Sequence, residues 1–265
     1  MKVAAGRRIV GAGALVAAIL LLGGCATSSN PKDPIESFNR ATFAFNEGID
    51  KAALKPVARG YEAVVPPTIR DGVSNFFGNI EDIFIGVNNL FQGKVGDAGS
   101  DIGRVLVNST VGILGFMDVA TDWGMEKHDE DFGQTFGRWG TGSGAYVVVP
   151  LFGPRNVRDT AGLVLDMVAD PVGEMHNVAA RNTLLATRLI SDRASLLPAE
   201  KVIEEAALDK YSYIRDAYLQ RRQNLIYDGS PPREDFDSAI EAETRFASSS
   251  VTNSLYAATM QVESK

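Results

Sequence analysis

Side chains with obvious chemical reach are few in this chain of 265 residues: one cysteine, Cys25, and two histidines, His128 and His176. His128 lies in Glu126-Lys127-His128-Asp129-Glu130-Asp131, where an imidazole beside carboxylates suggests a metal site. Successive neighbours cannot all converge on one ion, so the run reads as a solvated charged turn and no metal is expected. Ser143 sits in Thr141-Gly142-Ser143-Gly144-Ala145. That is not the Gly-x-Ser-x-Gly elbow of a nucleophilic serine, and the strand–helix alternation that presents such an elbow is missing. Asp166 and Asp170 are one helical turn apart, a spacing found equally on ordinary solvated helix faces. The glycines of 137–144 precede a short apolar run and not a helix N-terminus, so they build no phosphate loop. Nor is there a basic stripe with interleaved aromatics, which argues against nucleic acid. These residues point to neither an enzyme nor a cofactor.

What remains is apolar and punctuated by glycine. From Phe132 to Asp159 the chain reads FGQTFGRWGTGSGAYVVVPLFGPRNVRD, with sixteen uncharged residues between Arg138 and Arg155. Gly137, Gly140, Gly142, Gly144 and Gly153 permit tight bends and close chain approach, and Pro150 forbids helix continuation. The stretch is too polar for a membrane-spanning helix, which needs about 18 or more consecutive apolar residues. It is either core filler or a segment that meets lipid.

The elements that position this stretch read as helices. Residues 1–24 resemble a secretory signal, with Lys2, Arg7 and Arg8 before the apolar Ile9–Leu22 and Gly23-Gly24-Cys25 at its end. A lone cysteine at that point is the lipoprotein form of the signal, with Cys25 expected to carry the lipid. Ala26 favours outer-membrane sorting, because an aspartate there often signals inner-membrane retention. Cleavage removes three positive residues from a chain whose net charge is already −7, so any lipid affinity must come from apolar surface more than from phosphate attraction. Residues 25–33 read as a lipidated polar linker, 34–228 as one helical domain, and 229–265 as a polar tail. Phe38, Phe43, Phe45 and Ile49 fall at helical intervals, as do Phe76, Ile80, Phe84, Val87 and Phe91, with Asn75, Asn79, Glu81, Asp82 and Asn88 on other faces. Gly93–Gly99 reads as a turn, and Ile102–Phe116 as a second apolar segment thinned by glycine. Both segments are core packing or a helical wall against acyl chains. Asn156 is a plausible N-cap with Asp159 three positions on. Residues 174–226 read as almost wholly helical, with Tyr211, Ile214, Tyr218 and Leu225 on one face and Arg215, Arg221 and Arg222 away from it. Apart from a strand signal at Ala145–Leu151, the expected class is all-α.

Several ordered motifs also carry a resemblance. The order Phe132-Gly133-x-Thr135-x-Gly137-x-Trp139-Gly140, then Gly144-x-Tyr146-x-x-x-Pro150-x-x-Gly153-Pro154, then Arg158-Asp159, resembles the MlaA/VacJ lipoproteins. It begins at Asp33-Pro34-Ile35-Glu36-Ser37-Phe38-Asn39-Arg40, passes through Pro56-Val57-Ala58, Asn88–Gly93 and Arg104–Thr110 with Asn108, and ends in Arg215–Arg222. One departure is Ala145, where the family usually has proline. The resemblance implies a helical ring lying in the inner leaflet of the outer membrane, with an amphipathic channel and a glycine-rich hairpin-like loop. It implies removal of mislocalised phospholipids from the outer leaflet, delivery to a soluble periplasmic carrier, MlaC, and association with trimeric porins. Within that picture Gly140, Gly142, Gly144, Tyr146, Val148, Pro150, Phe152 and Gly153 are candidates to line or gate the channel, or else to brace the ring from within. A structural lipoprotein that scaffolds porins without moving lipid is the alternative, and a phospholipase a distant third.

Overall fold

The computed structural model describes residues 30–232. The expected signal segment 1–24, Cys25 and the tail beyond residue 232 lie outside the described residues. The chain divides into two units between Ile226 and Tyr227, and every element below belongs to the first.

Helix α1 (Glu36–Ile49) runs through a π-helical turn, Asp50–Leu54, into α2 (Lys55–Val64). The Pro66-Pro67 pair then stops α2 and opens α3 (Pro67–Phe91), since proline at the first helical position has its φ preset. Gly93, at φ +80°, turns the chain into α4 (Val95–Thr110). The turn expected over Gly93–Gly99 is therefore shorter than the glycines suggest. Gly96 and Gly99 are helical because Asp97 favours the first turn and Ala98 is buried. At the crossing, a Cβ on Gly86 of α3 would already touch the Asp101 and Ile102 side chains at 3.4 Å, so glycine sets how closely α4 lies.

Two short helices follow, each started by an aspartate side chain accepting from the N–H three residues on: α5 (Val119–Asp122) by Asp118 and α6 (Phe132–Arg138) by Asp131. Strands β1 (Tyr146–Val149) and β2 (Gly153–Asn156) form an antiparallel hairpin with Tyr146 opposite Asn156. Asn156 then caps α7 (Val157–Ala169) by accepting from the Asp159 N–H, as its spacing predicts. Helices α8 (Val178–Ser195), α9 (Leu197–Ala206) and α10 (Lys210–Ile226) complete the body. Apart from the hairpin the class is all-α. The contacts close a circuit: α2 on α8, α8 on α3, α3 on α6, α6 on α7 and α10, these on the hairpin, and the hairpin on α1.

The polarity of the packing is inverted. Of the twelve largest fully buried side chains, all but Tyr146 and Val148 are polar or charged. On α3 the buried positions include Asn79, Asp82, Asn88 and Asn89, whereas Ile83, Leu90 and Phe91 are exposed. On α4 the buried face is Ala98, Asp101, Arg104 and Asn108, and Leu106 stands 63% exposed. The core-packing reading of these two apolar stripes is thus overturned on most positions. On α10 the reversal is equally clear: Tyr211, Arg215 and Arg222 form the buried face that the sequence places away from the arginines.

After α4, residues 111–117 form an apolar turn. Val111, Ile113, Leu114, Phe116 and Met117 are all exposed, and Ile113 and Leu114 hold left-handed φ values of 54° and 57°.

Candidate functional site

The hairpin is held by side chains that act as a third strand. One edge of β1 pairs with β2, and the other meets α1. Asn39 donates to the Tyr146 carbonyl at 3.0 Å and accepts from the Val148 N–H at 2.8 Å. Two turns along, Asn46 donates to the Val149 carbonyl at 3.0 Å and accepts from the Leu151 N–H at 2.8 Å. The Tyr146 N–H itself donates to the Lys32 carbonyl at 3.1 Å. Every one of these groups would otherwise be an orphan at a buried edge. Asp33, assigned from the sequence to a polar linker, is fully buried. It accepts from Asn39 Nδ2 at 2.8 Å, the Tyr211 hydroxyl at 2.5 Å and Arg215 Nη1 at 3.3 Å, so the body begins before Pro34. Arg40 lies at the surface, paired with Glu36 and Asp209 and stacked 4.4 Å above the Tyr211 ring.

A second network joins α6, α7 and α10. Asp159 accepts from Arg158 Nε at 2.9 Å, Asn156 Nδ2 at 2.7 Å, Arg222 Nη2 at 3.0 Å and the Tyr218 hydroxyl at 2.5 Å. Burial, then the Asp159 charge and its hydrogen bond, push the Tyr218 hydroxyl far above its ordinary titration range. Arg222 also grips Asp131 at 2.6 and 2.9 Å. These charges leave no room for side chains at the helix crossing. A Cβ on Gly133 would fall 2.6 Å from Asp159 Oδ1, one on Gly137 2.9 Å from Arg158 Nη1, and one on Gly162 2.4 Å from the Gly133 nitrogen.

A third network centres on Arg104, inside the α3–α4 pair. Its guanidinium donates to Asp82 at 3.2 Å, to both Asp118 oxygens at 3.0 and 2.9 Å, to Thr121 at 3.0 Å and to the Met125 carbonyl at 2.8 Å. Asn108 donates to Asp118 at 2.9 Å and accepts from the Ala120 N–H at 2.9 Å. Burial works against the Asp118 charge, but hydrogen bonds from Thr121, Asn108 and Arg104 outweigh it and hold its carboxyl down at about 2.

The charged run before α6 is not a free solvated turn. Lys127 reaches Asp82 at 2.6 Å, His128 Nδ1 meets Asp101 at 2.7 Å, Glu130 takes Lys94 at 2.7 Å, and Asp129 takes Arg221 at 2.7 Å. The segment is a clasp across α3, α4 and α10. Among the described residues no group of three or more His, Cys, Asp or Glu is placed to hold a metal ion.

Beneath this clasp lies a cavity of about 370 Å³, within the range of ligand sites. Ile80, Phe84 and Ile85 of α3 and Leu163 and Met167 of α7 supply its apolar wall. Glu81, the 129–131 carboxylates, Asp166, Asp170 and Arg188 of α8 complete the lining. Arg188 is held by Glu81 and by Asp170, the latter at 3.3 Å. Burial, and then the Asp131 carboxylate, push Asp166 up to about 6, against the Phe132 N–H and the charges of Arg155 and Arg222. A smaller polar cavity of about 160 Å³, lined by Asn79, Arg104 and Lys127 among others, shares Glu81 with the first.

The glycine loop is divided by these contacts. Gly140, Gly142 and Gly144 are exposed, as are Pro150 and Phe152 at the hairpin tip. A Cβ added at Gly140, Gly142 or Gly153 would meet nothing within 4 Å. Tyr146 and Val148, in contrast, are buried with Tyr211, Phe43 and Tyr218 in an apolar cluster, so they line no open channel. Phe132 joins Phe91, Phe136 and Trp139 in an aromatic group, with the Trp139 indole donating to the Phe91 carbonyl at 2.9 Å. Phe38 is exposed and Pro34 half-buried at the turn into α1. The cavity's charged residues, Asp166, Asp170 and Arg188, were not among the sequence candidates. The Asp166–Asp170 spacing was the one signal for them, and it is common on solvated helices.

A helical body with hydrogen-bonded polar groups inside, large apolar side chains outside and an amphipathic cavity defines a class of protein that meets an apolar phase without crossing it. No helix among the described residues is long and apolar enough to span a membrane. The family model of MlaA lipoproteins matches residues 31–225, and the chain belongs to that family. The intermembrane phospholipid transport system lipoprotein MlaA of Shigella flexneri is 33% identical over 227 residues, covering 82% of this chain and 88% of that one. The protein of the same name from Escherichia coli K12 gives the same figures, 33% identity with 82% and 88% coverage. A solved structure from work on the structural basis for maintenance of bacterial outer membrane lipid asymmetry superposes with TM-score 0.64 at 30% identity, covering 73% of this chain and 98% of that one.

Proposed function

We propose that this chain is an outer-membrane lipoprotein that removes mislocalised phospholipid from the outer leaflet and passes it to a soluble periplasmic carrier of the MlaC kind. Cys25 carries the lipid anchor, and trimeric porins are its membrane partners. The single observation that carries this reading is the amphipathic cavity inside a body of inverted polarity. A phospholipid in transit needs apolar contact for its acyl chains and polar contact for its head group, and the lining of the cavity offers both. The apolar exterior lets helices with internally satisfied backbones rest in hydrocarbon. No bond is made or broken in such a role. The exposed parts of the glycine loop, Gly140–Gly144 and Pro150–Phe152, are the segments able to move against lipid, and the buried β1 between them acts as their brace.

The test measures outer-leaflet phospholipid in intact cells with an added phospholipase that cannot enter, with and without the gene. A rise on deletion, reversed by the wild type but not by Cys25→Ala, is the expected result. Unchanged outer-leaflet lipid with altered porin assembly would instead establish the scaffolding role.

A further inference from the structure

The carboxylates around the larger cavity are not equivalent. Glu81 and Asp170 both hold Arg188, Asp129 pairs with Arg221, Asp131 with Arg222 and Glu130 with Lys94. Among the described residues Asp166 forms no ion pair, and its hydrogen bond comes from the Phe132 N–H at 3.3 Å. It stands one helical turn from Asp170, roughly 5–6 Å between Cβ atoms, and Asp170 holds the Arg188 guanidinium. Arginine carries several N–H donors, and hydrogen bonds to Asp170 and Glu81 occupy only part of that set. The lining therefore offers a guanidinium with donors to spare for a phosphate and, one turn along α7 from Asp170, a carboxylate in no direct ion pair, on which Arg155 and Arg222 act only at a distance. Ile80, Phe84, Leu163 and Met167 supply the apolar part of the same lining, for the acyl end of a lipid.

Resting on the lipid-transport reading, we propose that this cavity selects phospholipids with a primary-amine, zwitterionic head group, the phosphate at Arg188 and the ammonium at Asp166. In an ethanolamine head group a two-carbon spacer separates the phosphate ester from the ammonium, which suits a carboxylate one helical turn from the residue that holds the guanidinium. A phosphoglycerol head group brings no cation to Asp166. Its net negative charge instead meets the Asp166 carboxylate, and like charges repel.

The experiment uses the full-length lipidated protein in detergent, equilibrated with mixed micelles of equal phosphatidylethanolamine and phosphatidylglycerol. Retained lipid is counted by mass spectrometry, with circular dichroism confirming that each variant is folded. Wild type is expected to retain phosphatidylethanolamine in roughly tenfold excess, the size of one charge-assisted hydrogen bond. The isosteric Asp166→Asn should bring the ratio close to one, chiefly by lowering the phosphatidylethanolamine retained. Arg188→Lys, which keeps the charge and loses the fork, should lower retention of both lipids. Equal retention by wild type, or an excess that survives Asp166→Asn, overturns the head-group assignment and leaves lipid transport standing. A wild type that retains neither lipid overturns the transport reading as well.

Discussion

The hairpin region and the α3–α4 pair are built against different surroundings. Around β1, Tyr146, Val148 and Tyr211 pack as an apolar core, with Asn39 satisfying the strand edge and Asp33 buried beside them against Tyr211 and Arg215. In α3 and α4 the same two ingredients change places, with Asp82, Arg104 and Asn108 inside and Ile83, Leu90 and Leu106 outside. Burial of apolar surface drives the first arrangement in water. It contributes little to the second, where internal hydrogen bonds hold the helices and the outer face awaits an apolar medium. One chain thus carries a region with an apolar interior and a region with an apolar exterior.

The largest test of this contrast is Arg104→Leu, which removes the one cation on Asp118 among the described residues and leaves Asp82 with Lys127 alone. It should lower stability by about 3–5 kcal/mol, the range for breaking a buried ion pair, read as a fall in thermal midpoint. A loss under about 1 kcal/mol would show that the polar interior does not hold the pair together. In the hairpin region Asn39→Leu orphans the Tyr146 carbonyl and the Val148 N–H. A loss of about 2–3 kcal/mol is expected from denaturant unfolding, with hydrogen exchange rising first along β1.

Asp166 gives a test by pH. Its carboxyl titrates at about 6 in the fold against an ordinary 3.8, so the folded state binds this proton more tightly than the unfolded chain does. The stability it contributes is complete below the unfolded value and is lost as pH rises through about 6. Asp166→Asn should therefore stabilise the protein by about 1–2 kcal/mol at pH 8, after allowance for solvent screening, and leave it unchanged at pH 4. Equal effects at both pH values would contradict the burial of this charge. The smallest effect on stability belongs to Leu106→Ser, within about 0.5 kcal/mol in detergent-free buffer. Partition of the body into phosphatidylethanolamine-containing vesicles should nonetheless fall, which separates an outward-facing lipid surface from a merely tolerated one.

The helices and their ends were legible in the sequence because they depend on local chemistry. Asn156 caps where its spacing says, the proline pairs break where they stand, and the run before Pro150 forms a strand. Polarity was not legible, because amphipathic spacing tells which residues share a face and not which way that face points. The asparagines carried a usable signal. Asn is a poor helix former, yet α3 and α4 place Asn79, Asn88, Asn89 and Asn108 on their buried faces, where their amides donate to Ser109, the Phe84 carbonyl, Asp101 and Asp118. The cavity lay further out of reach, since Asp166, Asp131 and Arg188 come from separate parts of the chain. Gly162 was missed for a related reason: its need for glycine comes from Gly133, on another helix.

The turn after α4 shows what the fold gives up to keep its exterior. Ile113 and Leu114 adopt a left-handed backbone that costs an L-residue about 1–2 kcal/mol, although glycine stands on both sides at 112 and 115. The neighbouring glycines cannot take the bulk: a Cβ on Gly112 would fall 2.1 Å from the Met117 carbonyl oxygen, and one on Gly115, itself at φ +89°, 2.8 Å from the Asn79 side chain. Two branched side chains are instead carried at the tip of a strained bend, where water offers them nothing. Such a bend suits contact with an oily surface better than it serves the stability of the isolated chain.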